Sequence, residues 1–343
     1  MDFIILREFP DPDIEREWRD CLSRIQFPSH YDSPEYFLVP LWEGKRPFAI
    51  LARDGDRVTG ILTGLHVDGE ISCGVASRPQ ISIDPQSDVG AAQDAVIRGL
   101  LSLARSAQLI SVFTWASLEL PVFKANRFRR RVLLGSVMLD LTLGADALFK
   151  QFSKDRRRNI RFAEKNGIEV ALANTPEDIA AAYEVYLAWR HTERKTVQGD
   201  TSTFDVFERS AHLINRVMLL ARLSGKVIGV NIFRFCPAGL FESAANYSLD
   251  EYLHLKPNDL MQWRGIEWAC QQGLRRHSLG GAHQFLKRFG GTVVPIIRYR
   301  RDCTWMRKHD LREIVQDLGR ETLKKMPPSL GKTVRRVFNK RAE

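Results

Sequence analysis

Cysteine is scarce in this chain of 343 residues, and the five that occur, Cys21, Cys73, Cys236, Cys270 and Cys303, are scattered with no Cys-x-x-Cys pair. That spacing excludes a disulfide scaffold and a zinc ribbon, and it points to reduced thiols in a cytoplasm. The eight histidines show no ligand spacing with Cys, Asp or Glu, so no metal site is expected. Long apolar runs are missing as well. The N-terminal Phe3-Ile4-Ile5-Leu6 is too short for a signal-peptide core and is followed by Glu8, Asp11 and Asp13. No segment has the length of a membrane span. The expected location is cytoplasmic, with contact to the inner face of the membrane as a peripheral option.

What is present is ample core material, 44% hydrophobic against 27% charged residues, in a chain long enough for two domains. The net charge of +10 is uneven, since the stretch 298–343 holds fourteen Lys/Arg against six Asp/Glu. A basic end of this kind suits polyanions such as RNA, anionic lipid or phosphorylated substrates, although a solvated terminus has the same composition. DNA is not indicated.

Periodicity gives the first half a helix over 13–25, a shorter one near 34–42, strands over 47–53 and 58–67 joined by the turn Asp54-Gly55-Asp56, a strand over 70–76, a helix over 91–107, and strands over 109–115 and 132–141. The second half repeats this order. Helices over 176–190 and 204–215 precede strands over 217–223, 227–235 and 240–247, a helix over 258–272, and strands over 276–279 and 293–299. Ile50-Leu51-Ala52-Arg53 matches Leu219-Leu220-Ala221-Arg222, Arg57-Val58 matches Lys226-Val227, and Gly60-Ile61 matches Gly229-Val230, all without a gap. The match and the shared order imply duplication, with each half an α/β layer structure of mixed sheets and packed helices. Residues 1–147 and 168–308 are the expected domains, 148–167 the connection, and 309–343 a basic tail.

The connection reads as one amphipathic helix closed by Gly167. Lys154, Arg158, Arg161 and Lys165 share one face, opposite Phe149, Phe152, Ile160 and Ala163. Arg156 falls at the centre of the apolar face, where a guanidinium needs an anionic partner, either an internal carboxylate or a bound phosphate or carboxylate group. A second stretch that draws attention is Gly280-Gly281-Ala282-His283-Gln284-Phe285-Leu286-Lys287-Arg288-Phe289-Gly290-Gly291, in which two glycine pairs bracket three cationic or titratable side chains.

Arg157-Arg158-Asn159-Ile160-Arg161 with Lys165-Asn166-Gly167, the segment Leu255-Lys256-Pro257-Asn258-Asp259-Leu260-Met261-Gln262-Trp263, and Phe285-Leu286-Lys287-Arg288-Phe289-Gly290 together resemble the Fem-type (FemAB-like) branch of the GNAT acyltransferases. The resemblance implies tandem GNAT-like domains and acyl transfer to an amino group. It extends to peptidoglycan-bridge enzymes that use aminoacyl-tRNA and to relatives in cell-envelope or exopolysaccharide metabolism. It also places a lysine at the position of Lys287 near the reacting ends of donor and acceptor. The chain departs from the pattern in lacking the Arg/Gln-x-x-Gly-x-Gly/Ala signature for a CoA pyrophosphate, with Lys256-Pro257-Asn258-Asp259 in that place. It has Ser278 where many relatives have Asp, and no long helical-hairpin insertion.

Acyl transfer needs a held donor, a deprotonated amine and a stabilised oxyanion. Lys287 is the expected oxyanion or phosphate partner, Glu242 the amine-side base as the only carboxylate on its strand, and His283 its competitor. Asn258 at a helix start, Asn246 and Tyr247 on the strand, Arg156 and Arg288 complete the expected substrate-binding set. The donor is left among acyl-CoA, an acyl carrier and aminoacyl-tRNA. The acceptor is a small-molecule or lipid-linked amine, and an anionic membrane surface and tRNA are the candidate macromolecular partners. The alternative is a noncatalytic module on a degenerate GNAT fold that docks RNA or an anionic membrane. A roomy cleft beside Asn246 would favour the enzyme, and a cleft filled by Phe241 or Tyr247 the module.

Overall fold

The computed structural model describes residues 1–192, 203–237 and 239–325. In the first half, β1 (Asp2–Leu6) and α1 (Pro12–Arg24) precede the hairpin of β2 (Arg46–Asp54) and β3 (Arg57–Val67). Then come β4 (Glu70–Val75), the short β5 (Arg78–Pro79) and β6 (Ile81–Ile83), α2 (Val89–Leu103), β7 (Leu109–Trp115), α3 (Pro121–Ala125) and β8 (Arg129–Asp140). The segment expected as a helix over 34–42 instead forms tight 3-10 turns at Pro34–Leu38 and Pro40–Trp42, because Pro34 and Pro40 interrupt any longer ladder.

The connection is two helices, not one. α4 (Ala145–Gln151) ends at Phe152, and α5 (Lys154–Lys165) starts afresh from Ser153, whose hydroxyl caps the Arg156 amide. Neither lies between the halves, because Leu148, Phe152, Ile160 and Ala163 pack into the core of the second. That half continues with β9 (Ile168–Leu172), α6 (Pro176–Arg190), α7 (Phe204–Ala211), β10 (Arg216–Leu223), β11 (Lys226–Phe235), β12 (Leu240–Ser248), α8 (Pro257–Gln271), β13 (Arg276–Ser278), α9 (Gln284–Lys287), β14 (Thr292–Asp302) and α10 (Lys308–Lys325).

Alternation along the strands builds the layers. In β2, Ile50 and Ala52 face α2 while Ala49 and Leu51 face α1. In β10, Leu219 and Ala221 face α8 while Met218 and Leu220 face α6. The two strands therefore use the same faces at equivalent positions. Even the irregularity repeats, since the β2–β3 register shifts between Ala52 and Arg53 and the β10–β11 register between Ala221 and Arg222. The fold is a duplicated GNAT-like α/β structure.

The halves nevertheless form one sheet, in the order β1-β2-β3-β4-β7-β14-β8-β13-β12-β11-β10-β9. Each half's last strand has crossed over: β14 sits between β7 and β8, and β8 between β14 and β13. The C-terminal α10 is held by ion pairs from these strands, with Glu313 meeting Arg131 and Arg298, and Asp310 meeting Arg300. The basic amphipathic pattern of Leu330, Val334, Val337 and Phe338 lies outside the described residues. No described helix is long and apolar enough to cross a membrane.

Candidate functional site

The parallel pair β12–β13 is short: Leu240 faces Arg276, Phe241 faces His277, and Glu242 faces Ser278. Beyond it the chain leaves for β8, where the Leu279 amide donates to the Val137 carbonyl at 3.0 Å and the Val137 amide to the Gly281 carbonyl at 2.8 Å. The turn needs Gly280, at φ 78° with the Ser243 carbonyl 3.0 Å from where a Cβ would stand. β12 runs straight on, so the strands part and leave a cleft of about 260 Å³. Ser243, Ala244, Ala245 and Asn246 of β12 form one wall, Asn258 and Gln262 of α8 another, and Leu279, Gly280, His283 and Phe285 the third. The first half contributes Arg78.

Within this wall Ala244 is the extra residue of a bulge, for Ile232 faces Ala245 and Phe233 faces Ser243. A bulged residue is released from the ladder, which frees its backbone amide for a ligand. The floor is a polar network. Asn231 Nδ2 donates to Gln262 Oε1 at 3.4 Å, Gln262 Nε2 donates to Ser243 Oγ at 3.2 Å, and His277 Nε2 lies 3.1 Å from the same hydroxyl. Burial pushes His277 down to about 3, so the ring is neutral.

The equivalent splay of the first half, where β4 and β7 part after Cys73 and Val112, is occupied by its own chain. β5 pairs with Gly74 and Val75, the Gln80 amide donates to the Phe113 carbonyl at 3.4 Å, and the Thr63 amide donates to the Gln80 carbonyl at 3.1 Å. A hollow of about 130 Å³ lined by Tyr31, Tyr36, Trp42 and again Arg78 is what is left there.

Of the expected site residues, the structure brings Asn246, Asn258 and His283 to one cleft. Asn258 Oδ1 accepts from Ser248 Oγ at 2.5 Å. Lys287 and Arg288 depart from expectation, since both side chains are exposed outside the lining, and Arg288 contributes only its carbonyl, which accepts from the Ser153 amide at 2.9 Å. The reason is the turn of α9: Leu286 and Phe289 are the residues that point inward, and Phe285 rather than Lys287 borders the cleft. Tyr247 turns to the other face of β12 and packs edge-on against Tyr186 and Trp189. Burial pushes its hydroxyl up to about 12.

Arg156 finds an internal carboxylate, not an open site. Its guanidinium bonds to Asp259, donates to the Phe285 carbonyl at 3.2 Å, and lies 3.6 Å from the centre of the Phe285 ring. It thereby ties α5 to the start of α8 and to α9. Glu242 is also absent from the cleft wall. It is fully buried on the opposite side of β12, in a row across three strands where Arg216 faces Arg234 and Arg234 faces Glu242. Burial pushes its carboxyl up against the pull of Arg234, Arg78 and Arg216.

Residues that the sequence did not single out are Arg78, Arg216, Arg234, Ser243 and Gln262. An arginine inside the apolar run of β11 was a readable sign of a buried charge. Arg78 stands in an irregular stretch with no such sign. Among the described residues no group of His, Cys, Asp and Glu side chains could hold a metal ion.

Residues 150–288 match the family described as the acetyltransferase (GNAT) domain. This segment is similar to a GNAT domain. It contains the whole open cleft apart from Arg78. No curated protein sequence matches the chain. Among solved structures the chain is similar to FemX, with a TM-score of 0.66 at 13% identity over 87% of this chain and 97% of that one. It is similar to L-PGS from Bacillus licheniformis, with a TM-score of 0.59 at 12% identity over 92% and 98%. A tandem GNAT protein from the clavulanic acid biosynthesis pathway gives 0.55 at 13% identity over 89% and 99%. At such identities the likeness is one of fold, and it covers both halves of the GNAT duplication.

Proposed function

We propose that the protein is an acyltransferase that moves an acyl or aminoacyl group from an activated donor to an amino group in the cleft between β12 and β13, in cell-envelope or exopolysaccharide metabolism. The observation that carries this reading is the contrast between the halves, with one splay kept open beside Asn246 and the other closed by β5 and β6. Phe241 lies in the core against Phe233, and Tyr247 against α6, so neither fills the open splay. A binding module on a degenerate fold would have no need of it. The resemblance to Fem-type proteins supports the envelope assignment.

In this scheme the donor carbonyl lies along Ala244 and Ala245. The acceptor nitrogen adds to the carbonyl carbon, and the carbonyl pair moves to oxygen, where the freed Ala244 amide stabilises it. Collapse expels the carrier's thiolate or alkoxide. His283, exposed at the mouth, takes the proton that the attacking amine loses. Lys287 stands outside this arrangement. A panel of acyl-CoA, acyl-carrier and aminoacyl-tRNA donors tested against amine acceptors should give transfer with one donor class. Ala245→Trp should abolish that transfer with the melting temperature kept, while Val75→Trp, at the first half's hollow, should not. Transfer that survives Ala245→Trp would place the chemistry elsewhere.

A further inference from the structure

Arg216, Arg234 and Glu242 stand side by side across β10, β11 and β12, so two guanidiniums face each other directly. Like charges in directly opposed positions destabilise a sheet. From the first half Arg78 joins them, and Tyr31 packs on Arg234 with its ring 4.4 Å from the guanidinium. Its hydroxyl accepts from Arg234. Three guanidiniums, Arg234 buried and Arg78 and Arg216 half-buried, are thus set against the one carboxylate of the row, and pairing within it is incomplete: Nε of Arg78, Nε of Arg234, Nε and Nη2 of Arg216, and both carboxylate oxygens of Glu242 are buried atoms with no partner. Tyr31 feels the same surplus, because burial would push its phenol up and the three guanidiniums outweigh that and pull it down. Burial and the neighbouring Arg234 push Arg216 down to about 10.

A protein core does not keep such a surplus without a counter-charge. Of the three, Arg78 lines both hollows, the acyl cleft on one side and the first half's hollow on the other. We propose that Arg78 receives one oxyanion, a carboxylate or a phosphate, carried by the amine acceptor, with Arg216 and Arg234 supplying the field that holds it. A guanidinium offers the paired donors that both groups accept. This inference rests on the acyl-transfer reading for the word acceptor, but the anion site stands on its own residues. It limits the substrate class to amines that carry an acid group within reach of the cleft, and it gives the closed first half a part in substrate recognition.

The test uses the full chain without any acyl donor, so a failure here is separable from a failure of the acyltransferase reading. Thermal shift and calorimetric titration with inorganic phosphate and with acetate, at fixed ionic strength, compare the parent with Arg78→Met, Arg78→Lys and the surface control Arg130→Met. Saturable binding of one anion is expected in the parent and in Arg130→Met, weaker by roughly tenfold or more in Arg78→Met, the loss of one charged hydrogen-bond donor, and intermediate in Arg78→Lys. The anion that binds identifies the group. Without anion, Arg78→Met should melt no lower than the parent, because a repelling charge has been removed. Absence of saturable binding in the parent, equal binding in Arg78→Met, or a lower melting temperature for that variant without anion would each overturn the proposal.

Discussion

Arg156 shows what a single residue can reveal before a structure is at hand. A guanidinium at the centre of an apolar helical face demands an anion, and the helical period placed it there unambiguously. The identity of the anion was beyond the reach of that argument, because Asp259 is remote in sequence and reads as an ordinary acidic residue in the first turn of α8. The pair is 3% and 5% exposed at its side chains. Removing one member of such a pair leaves a buried charge alone, so Asp259→Ala should lower the unfolding free energy in urea by about 3–5 kcal/mol. The double variant Arg156→Met with Asp259→Leu should recover most of that loss. Lys287 teaches the converse. The resemblance implies a lysine near the reacting groups, but Leu286 and, just past α9, Phe289 are the side chains that turn inward, and Lys287 is left exposed.

Elements were legible wherever period and breakers agreed. The expected strand over 109–115 and helix over 176–190 coincide with β7 and α6, and the helix over 258–272 with α8 to within one residue. The short β5 and β6 escaped notice, since two or three residues give no period. So did the bulge at Ala244, which is a matter of register between strands and leaves no local trace. The packing of α8 on the sheet depends on one small residue. A Cβ at Gly265 would stand 2.3 Å from Phe233 Cζ, and that ring is already stacked on Phe241 at 4.7 Å. Alanine is the better helix former by about 1 kcal/mol, yet here the clash outweighs propensity. Gly265→Ala should destabilise by about 1–3 kcal/mol, measured by urea unfolding. It should also weaken any cleft ligand, because Asn258 and Gln262 ride on the same helix. A gain in stability would mean that α8 has room to move outward.

At the scale of the molecule, the 169-residue repeat announced two similar halves but was silent on how they join. Strand exchange is invisible to periodicity because β8 and β14 have the same pattern whichever half they complete. Its consequence is thermodynamic. The first half's β7 has Ile296, Ile297 and Tyr299 of β14 as its neighbours, and Leu120 donates its amide to the Tyr299 hydroxyl at 3.1 Å. Ile297 and Tyr299 are members of the first half's own core. A chain of residues 1–143 would lack that strand, leaving β7 and β8 with unpaired edges and a gap in the core. Neither 1–143 nor 144–343 should melt cooperatively when expressed alone, whereas the two co-expressed should assemble and do so. In the intact chain, native-state hydrogen exchange should find the slowest amides of β2–β3 and of β10–β11 opening with the same free energy, because neither half can unfold while the other keeps its borrowed strand. Independent opening of the two hairpins, or a monomeric 1–143 with a sharp transition of its own, would show that the exchanged strands are dispensable to each half.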